Sequence, residues 1–185
     1  MSQPAELATE RLILRMPQPA DADAITERIA IKDIVWNLGR APFPYKRSDA
    51  ESWLETVPKG WADDTAYVFA ITTMEHGMIG SIGLDRHPED IWEIGYWLAK
   101  PWWGQGLVTE AGKAVLAWAR ESQRIDQFMS GHFTDNPASG RVLVKLGFEP
   151  VGEIDMTGRA RGVPAPCTRY VCGAPAEAAL RLAAH

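Results

Sequence analysis

Residues 92–112 read WEIGYWLAKPWWGQGLVTEAG. An aromatic-rich, strand-like run ends near Leu98, two glycines follow at Gly104 and Gly106, and a helical pattern begins at once. Leu107, Ala111, Val115 and Trp118 carry that pattern at helical spacing. Glycine lets the backbone pass close to a bulky group without interference from a Cβ. The amides that follow, through Leu107, Val108 and Thr109, belong to a first helical turn and have no intrahelical partner. They point at whatever lies over the helix N-terminus, where the dipole favours an anion. Residues 104–109 therefore describe a phosphate cradle at the end of a strand.

Two other phosphate cradles fail by position. A dinucleotide fingerprint requires a third glycine where Thr109 stands. The ATP-type loop requires Gly-Lys preceded five residues earlier by glycine and followed by a hydroxyl. Gly112-Lys113 is present, but those positions hold Leu107 and Ala114. An ordinary strand–helix turn is the plain alternative, and a lone Gly-x-Gly would favour it. The downstream sequence decides otherwise.

That segment is DNPASGRVLVKLGF, residues 135–148. Asn136 suits a helix cap and Pro137 a first helical position. Val142, Leu143 and Leu146 form an apolar stripe, and Gly147 is placed to stop the helix. Together with WWGQGLVTEA, this segment resembles the GNAT acetyltransferase superfamily, in particular its RimJ/RimL-like branch, which acetylates ribosomal-protein N-termini and other amines. TERLILRMPQPADADAI (9–25) and PFPY (42–45) are similar to that branch as well, in the same order. The resemblance spans about residues 8–172 and implies a single domain there, with terminal tails at 1–7 and 173–185.

The implied fold is a mixed α/β layer. Its central sheet is mostly antiparallel, with one splayed parallel pair and flanking helices. The residues agree with it. Strands are expected at 12–16, 67–72, 79–86, 91–98, 126–133, 149–156 and 167–172. Helices are expected at 20–31, 48–57 (ending before Pro58), 105–121 and 137–146. Hairpin-length gaps predict antiparallel pairing in the middle of the chain. The 91–98 and 126–133 strands, joined through a full helix, should be parallel.

The resemblance implies acetyl-CoA as the donor, held by Trp103, Gly104, Gln105, Gly106, Leu107, Val108 and Thr109. Trp103 stands where the superfamily usually has Gln or Arg, and Val108 where it has Gly or Ala. Strand amides after a bulge at Leu98 would polarise the thioester carbonyl. Asn136 would contact the pantetheine arm. Many relatives carry a tyrosine acid seven residues after that asparagine, but here the position is Leu143. The branch's substitute is the hydroxyl three residues on, Ser139, which lies near the thioester sulfur. Lys145 is read as a solvated helix residue rather than a phosphate ligand.

Glu93 and His132 are the candidate bases, Glu93 first. For Glu93 the plain alternative is a half-exposed residue paired with Arg or Lys. For His132 it is a hydrogen-bonded structural histidine. Asp135 is expected to brace its loop. Phe43, Tyr45 and Trp53 fall in the segment that forms the acceptor groove in relatives, and Trp97 is the fourth aromatic candidate for substrate binding.

Bulk properties narrow the function classes. The chain has 185 residues, 46% of them apolar, which fits one domain with a sizeable core. A net charge of −5 argues against non-specific binding of nucleic acid or of anionic membranes. No apolar run is long enough to span a bilayer and no leader signal is visible, so a cytoplasmic location is expected. Cys167 and Cys172 lack nearby histidines and should remain reduced, with no metal. Residues 1–8 read as a loose leader, and the alanine-rich tail as a short helix or a frayed end. The expected activity is direct acetyl transfer in a ternary complex to a primary amine, a peptide or protein N-terminus being favoured, by a monomer or homodimer. The alternatives are an acetyltransferase for small amines of antibiotic or polyamine type, and a non-catalytic acyl-CoA binder.

Overall fold

The computed structural model describes residues 6–182. An eight-stranded sheet runs in the order β1-β2-β3-β4-β5-β6-β8-β7. Its strands are β1 (Leu7–Ala8), β2 (Ile13–Arg15), β3 (Ala66–Thr73), β4 (Gly77–Arg86), β5 (Trp92–Leu98), β6 (Phe128–Phe133), β7 (Glu149–Thr157) and β8 (Pro164–Cys172). Every neighbouring pair is antiparallel except β5–β6. The helices are α1 (Ala22–Ile29), α2 (Lys32–Val35), α3 (Arg47–Ala62), α4 (Leu107–Gln123), α5 (Pro137–Lys145) and α6 (Ala176–Leu182). The sheet and its single parallel pair match the expected architecture.

Two apolar clusters fill the faces of the sheet. On one face, Leu107, Ala111 and Val115 of α4 and Leu143 of α5 pack with Phe69, Ile82, Ile94 and Phe128 from the strands. On the other, α1, α2 and the first half of α3 bury Ile25, Ile34, Ala50 and Leu54 against Ala70 and Met78. An aromatic nest locks the start of β5: Tyr67 stacks on Trp92 at 5.0 Å between centroids, and Trp61 meets Tyr67 edge-on at 5.0 Å. Each such contact contributes about 0.5–1.5 kcal/mol beyond simple burial.

Helix α3 differs from expectation. Pro58 does not end it, and the helix continues to Ala62. Proline lacks the N–H that would bond one turn back, which costs about 3 kcal/mol in a helix interior. Burial of Val57 and Trp61 beside that break offsets the cost, because both sit in the core at 3% exposure. The alanine-rich tail takes the helical alternative as α6, and Ala178, Ala179 and Leu182 bury against Ile91 and Met129. Leu7 and Ala8, expected in the leader, instead pair with β2, while residues 1–5 lie outside the described range. Both cysteines are free thiols. Among the described residues, no helix is long and apolar enough to cross a membrane.

Candidate active site

The parallel pair holds together only at its start. Trp92 faces Phe128 and Glu93 faces Met129, and no ladder partners follow. One further bridge, Ser130 Oγ–H donating to the Ile94 carbonyl at 2.8 Å, marks where the strands part. Strand alternation then fixes what lines the opening. The Trp92 amide bonds toward β6 through Gln127, and the Ala99 amide bonds toward β4 through Ile79. Residues 94, 96 and 98 share the orientation of Trp92. The amides of Tyr96 and Leu98 therefore face the gap, beyond the last β6 partner. The expected bulge at Leu98 is absent, because β5 stays in register with β4 from Trp92 to Leu98. The amide reaches the gap by parity alone.

Past Leu98 the chain enters the glycine turn. Gly104 and Gly106 take φ of +75° and +77°, where side chains are strained. A Cβ at Gly104 would meet nothing within 4 Å, and one at Gly106 only an Arg11 nitrogen at 3.8 Å. The space over the turn is open. Gly106 is the N-cap of α4 and offers no side chain to its first amides, so Leu107, Val108 and Thr109 open a turn whose donors await an anion. Lys113 and Lys145 border the same concavity, so Lys145 sits closer to the cradle than a purely solvated reading implied. These residues fit a pyrophosphate. Trp103 does something different from the polar residue it replaces: its indole N–H donates to the Leu98 carbonyl at 2.6 Å and braces the strand end. Gln105 contributes its carbonyl to Arg11 Nη1 at 2.9 Å. Arg11 Nε and Thr9 Oγ1 also donate to Glu110, at 2.7 and 2.6 Å. The TERL segment thus ties the first strands to the cradle. That clamp was not legible in the sequence, because its partners lie about a hundred residues apart.

Helix α5 starts beside the gap. Asn136 occupies its N-cap, but its side chain makes no capping bond, which corrects the expectation that it caps. Its backbone amide donates to the Phe133 carbonyl at 2.8 Å, so it is the side-chain amide that could serve a ligand. Asp135 braces the loop as expected: Arg161 Nη1 and Nη2 donate to its two oxygens at 2.9 and 2.7 Å. That hydrogen-bonded pair holds the Asp135 carboxyl below its ordinary range. Ser139 points across the gap to β5, with its Oγ 2.9 Å from the Tyr96 hydroxyl. Leu143, where relatives place a tyrosine, is fully buried.

The two candidate bases are placed elsewhere. Glu93 lies in the last paired register of β5–β6. Its Oε1 forms an ion pair with Arg169 Nη1 at 2.9 Å, and its Oε2 lies 3.1 Å from His87 Nε2. Burial by itself would raise its pKa, but His87 and Arg169 hold it down to about 2. Both oxygens are committed, so Glu93 realises the paired arrangement and is a poor direct base. His132 packs under α5, with both ring nitrogens near polar partners. Its Nδ1 bonds the Phe133 carbonyl at 2.8 Å and its Nε2 lies 3.3 Å from the Tyr170 hydroxyl. A Cβ on Gly140 would stand 2.5 Å from that Nε2, so the imidazole sits directly beneath the helix. It lines a separate groove of about 580 Å³ with Thr168 and Tyr170.

The aromatic candidates for the acceptor wall divide. Tyr45, Trp53 and Trp97 each pack against the α1–α3 cluster, and Trp53 also touches the core on the other face. Burial, with a smaller contribution from Asp49, pushes the Tyr45 phenol up to about 12. Phe43 is 47% exposed and stands outside that cluster. The turn between β7 and β8 closes over the same side: Arg161 Nε donates to the Trp36 carbonyl at 2.8 Å, and the Arg159 amide to that of Gly39 at 2.8 Å. The sequence reading missed Arg161 and Tyr96. Tyr96 left a signal, since it alternates with Trp92, Ile94 and Leu98 and places one hydroxyl on an otherwise apolar face.

Comparison with known proteins agrees with this geometry. The acetyltransferase (GNAT) domain family matches residues 11–149. The N-acetyltransferase YoaA of Bacillus subtilis (strain 168) is 26% identical over 176 residues, covering 92% of this chain and 98% of its own. The solved structure of RimL, a ribosomal L7/L12 alpha-N-protein acetyltransferase in complex with coenzyme A, superposes with a TM-score of 0.78 at 19% identity, over 92% of this chain and 100% of that one. The microcin C7 self-immunity acetyltransferase MccE, in complex with acetyl-CoA and AMP, does so at 0.76 and 20% identity, over 88% and 92%. A parted parallel pair that opens onto an uncapped glycine turn, on a chain matched over most of its length, assigns this protein to the GNAT family of acetyltransferases.

Proposed function

We propose that this acetyltransferase moves the acetyl group of acetyl-CoA directly to a primary amine, both held in one ternary complex, and that the amine is a peptide or protein N-terminus. One observation carries the reading: neighbouring residues of β5 serve opposite sides of the sheet. Tyr96 faces α5 and the donor-side gap, while Trp97 faces the α1–α3 side, against whose cluster Tyr45 and Trp53 also pack. An acceptor on that side and a donor arm in the gap would meet across the thickness of one strand.

Acetyl-CoA supplies an activated acyl group on a thiol leaving group. The chain supplies the rest. The amides of residues 104–109 and the α4 dipole hold the phosphates. The Asn136 side-chain amide orients the arm, and the Leu98 and Tyr96 backbone amides polarise the acyl carbonyl. Ser139 donates toward the departing sulfur. An α-amine titrates near ~8 and a lysine near ~10.4, so an α-amine reaches its neutral, attacking form with far less help. That suits a site where Glu93 is already spent on Arg169 and His87. The RimL likeness supports the choice of acceptor. A cytoplasmic monomer or homodimer completes the reading, without nucleic-acid or membrane partners, in line with the net charge of −5.

The test is to incubate the enzyme with acetyl-CoA and three acceptor sets: N-terminal peptides, matching N-blocked lysine peptides, and small amines. Mass spectrometry locates the acetyl group, and labelling of peptide α-amines is expected. Labelling confined to small amines would replace the peptide acceptor with a detoxification-type substrate. Tight acetyl-CoA binding with no turnover over all three sets would leave a non-catalytic binder.

A further inference from the structure

We propose that Tyr96 is a positioning residue for the leaving group, setting the Ser139 hydroxyl to donate into the β5–β6 gap. The inference rests on the acetyltransfer reading above. It also answers a problem in that reading: Leu143 removes the usual tyrosine, and a lone serine hydroxyl is free to point anywhere.

The Tyr96 hydroxyl spans from β5 to the first turn of α5. It lies 2.9 Å from Ser139 Oγ and 3.0 Å from the Ser139 carbonyl. One phenolic proton has two acceptors. When it goes to the carbonyl, Ser139 gives its own proton back to the phenol oxygen and presents no donor to the gap. When it goes to Ser139 Oγ, the serine proton is released toward the gap. Developing negative charge on a sulfur there selects the second arrangement, because a charged acceptor outcompetes a neutral one. The phenol ring packs against the apolar core, which fixes the hydroxyl on the strand.

The proton balance agrees. Transfer forms a bond between the amine nitrogen and the acetyl carbon and breaks the bond from that carbon to sulfur. The amine gives up one proton and the thiol ends with one, so Tyr96 and Ser139 need not lose theirs. Their task is to hold charge on sulfur until that proton arrives. Burial pushes the Tyr96 phenol up to about 12, against about 8.5 for a thiol, so it remains a neutral donor throughout. The second hydroxyl nearby, Tyr170, lies 3.3 Å from His132 Nε2 and is not bonded to Ser139 among the described residues.

The experiment compares Tyr96→Phe, Ser139→Ala, the double variant and Tyr170→Phe under conditions where chemistry limits turnover. Tyr96→Phe keeps the ring and removes one hydroxyl. It should lower kcat about ten-fold, the worth of one good hydrogen bond, with KM for acetyl-CoA changed less than about two-fold. The double variant should be no slower than Ser139→Ala alone, because the phenol acts only through the serine. Tyr170→Phe should keep wild-type kcat. Wild-type kcat in Tyr96→Phe overturns the proposal, as do losses that multiply in the double variant. A wild-type enzyme that binds acetyl-CoA yet releases no thiol with any amine defeats the acetyltransfer reading together with the proposal. Normal wild-type turnover beside an unimpaired Tyr96→Phe defeats the proposal alone.

Discussion

The two ends of the β5–β6 pair treat their polar groups in opposite ways. At the closed end, Glu93 is bonded by Arg169 and His87, Ser130 bridges the strands, and the Tyr67–Trp92 stack fills the flank. At the open end, the Leu98 amide lies beyond the last β5–β6 pair, the Asn136 side chain makes no capping bond, no side chain caps the first turn of α4, and two glycines keep the space clear. Satisfied groups buy rigidity, and unsatisfied groups in an open space are poised for a ligand. A charged residue at the closed end therefore reads as architecture even when its type suits catalysis.

The largest effect separating the two ends should come from Gly106→Val. The φ of +77° and the open approach over the turn both disappear, so acetyl-CoA affinity should fall more than about 100-fold, beyond ready detection by calorimetry. Local strain of about 1–3 kcal/mol should lower Tm without unfolding the chain. A folded variant with wild-type affinity would remove the cradle from the argument.

Glu93→Gln probes the closed end. It leaves the Arg169 guanidinium, 1% exposed, without its anion, a change that costs about 3–5 kcal/mol in buried pairs. Denaturant midpoints should fall accordingly, while kcat in the surviving folded fraction stays within about three-fold. A stable variant with kcat reduced ten-fold or more would restore Glu93 as the base. The same pair predicts a direction with pH. The carboxyl titrates near 2 when folded, against an ordinary 4.5. Its stabilisation is therefore complete above about pH 4.5 and is lost as pH falls toward 2. In Glu93→Gln that acid-sensitive component should be absent.

The smallest effect is expected from Asn136→Ala. A capping asparagine replaced by alanine typically costs about 1 kcal/mol, but this side chain makes no capping bond. Stability should shift by less than about 0.5 kcal/mol. Acetyl-CoA affinity should drop a few-fold, because the side-chain amide serves the ligand. A full capping loss with unchanged affinity would reverse the assignment.

The backbone of the site was legible along the chain because its signals are local. Two glycines before an amphipathic helix specify an open, uncapped turn whatever surrounds it, and a strand, helix, strand sequence specifies a parallel pair. Pro58 shows where local rules stop. Its helix continues while Val57 and Trp61 on either side of the break are buried, which offsets the missing hydrogen bond. The same limit governs the charged residues. Glu93 and His132 had the right chemistry, but Arg169 and Tyr170, which meet them in the fold, lie far along the chain. Arg169 lies 76 positions beyond Glu93 and meets it only because β8 pairs with β6.

By itself, then, the sequence carried the resemblance to the family, which pointed to a parted pair and to Ser139, and it specified the glycine turn before α4 and the parallel direction of β5 and β6. The turn and the parallel direction depend on backbone conformation and periodicity, which a few adjacent residues control. Tertiary structure alone decided which polar groups are spent and which are free: Glu93 on Arg169 and His87, Arg11 on Glu110, Arg161 on Asp135, Tyr96 on Ser139. A side chain's chemistry depends on its neighbours across the sheet, and those are fixed only when distant strands and helices meet.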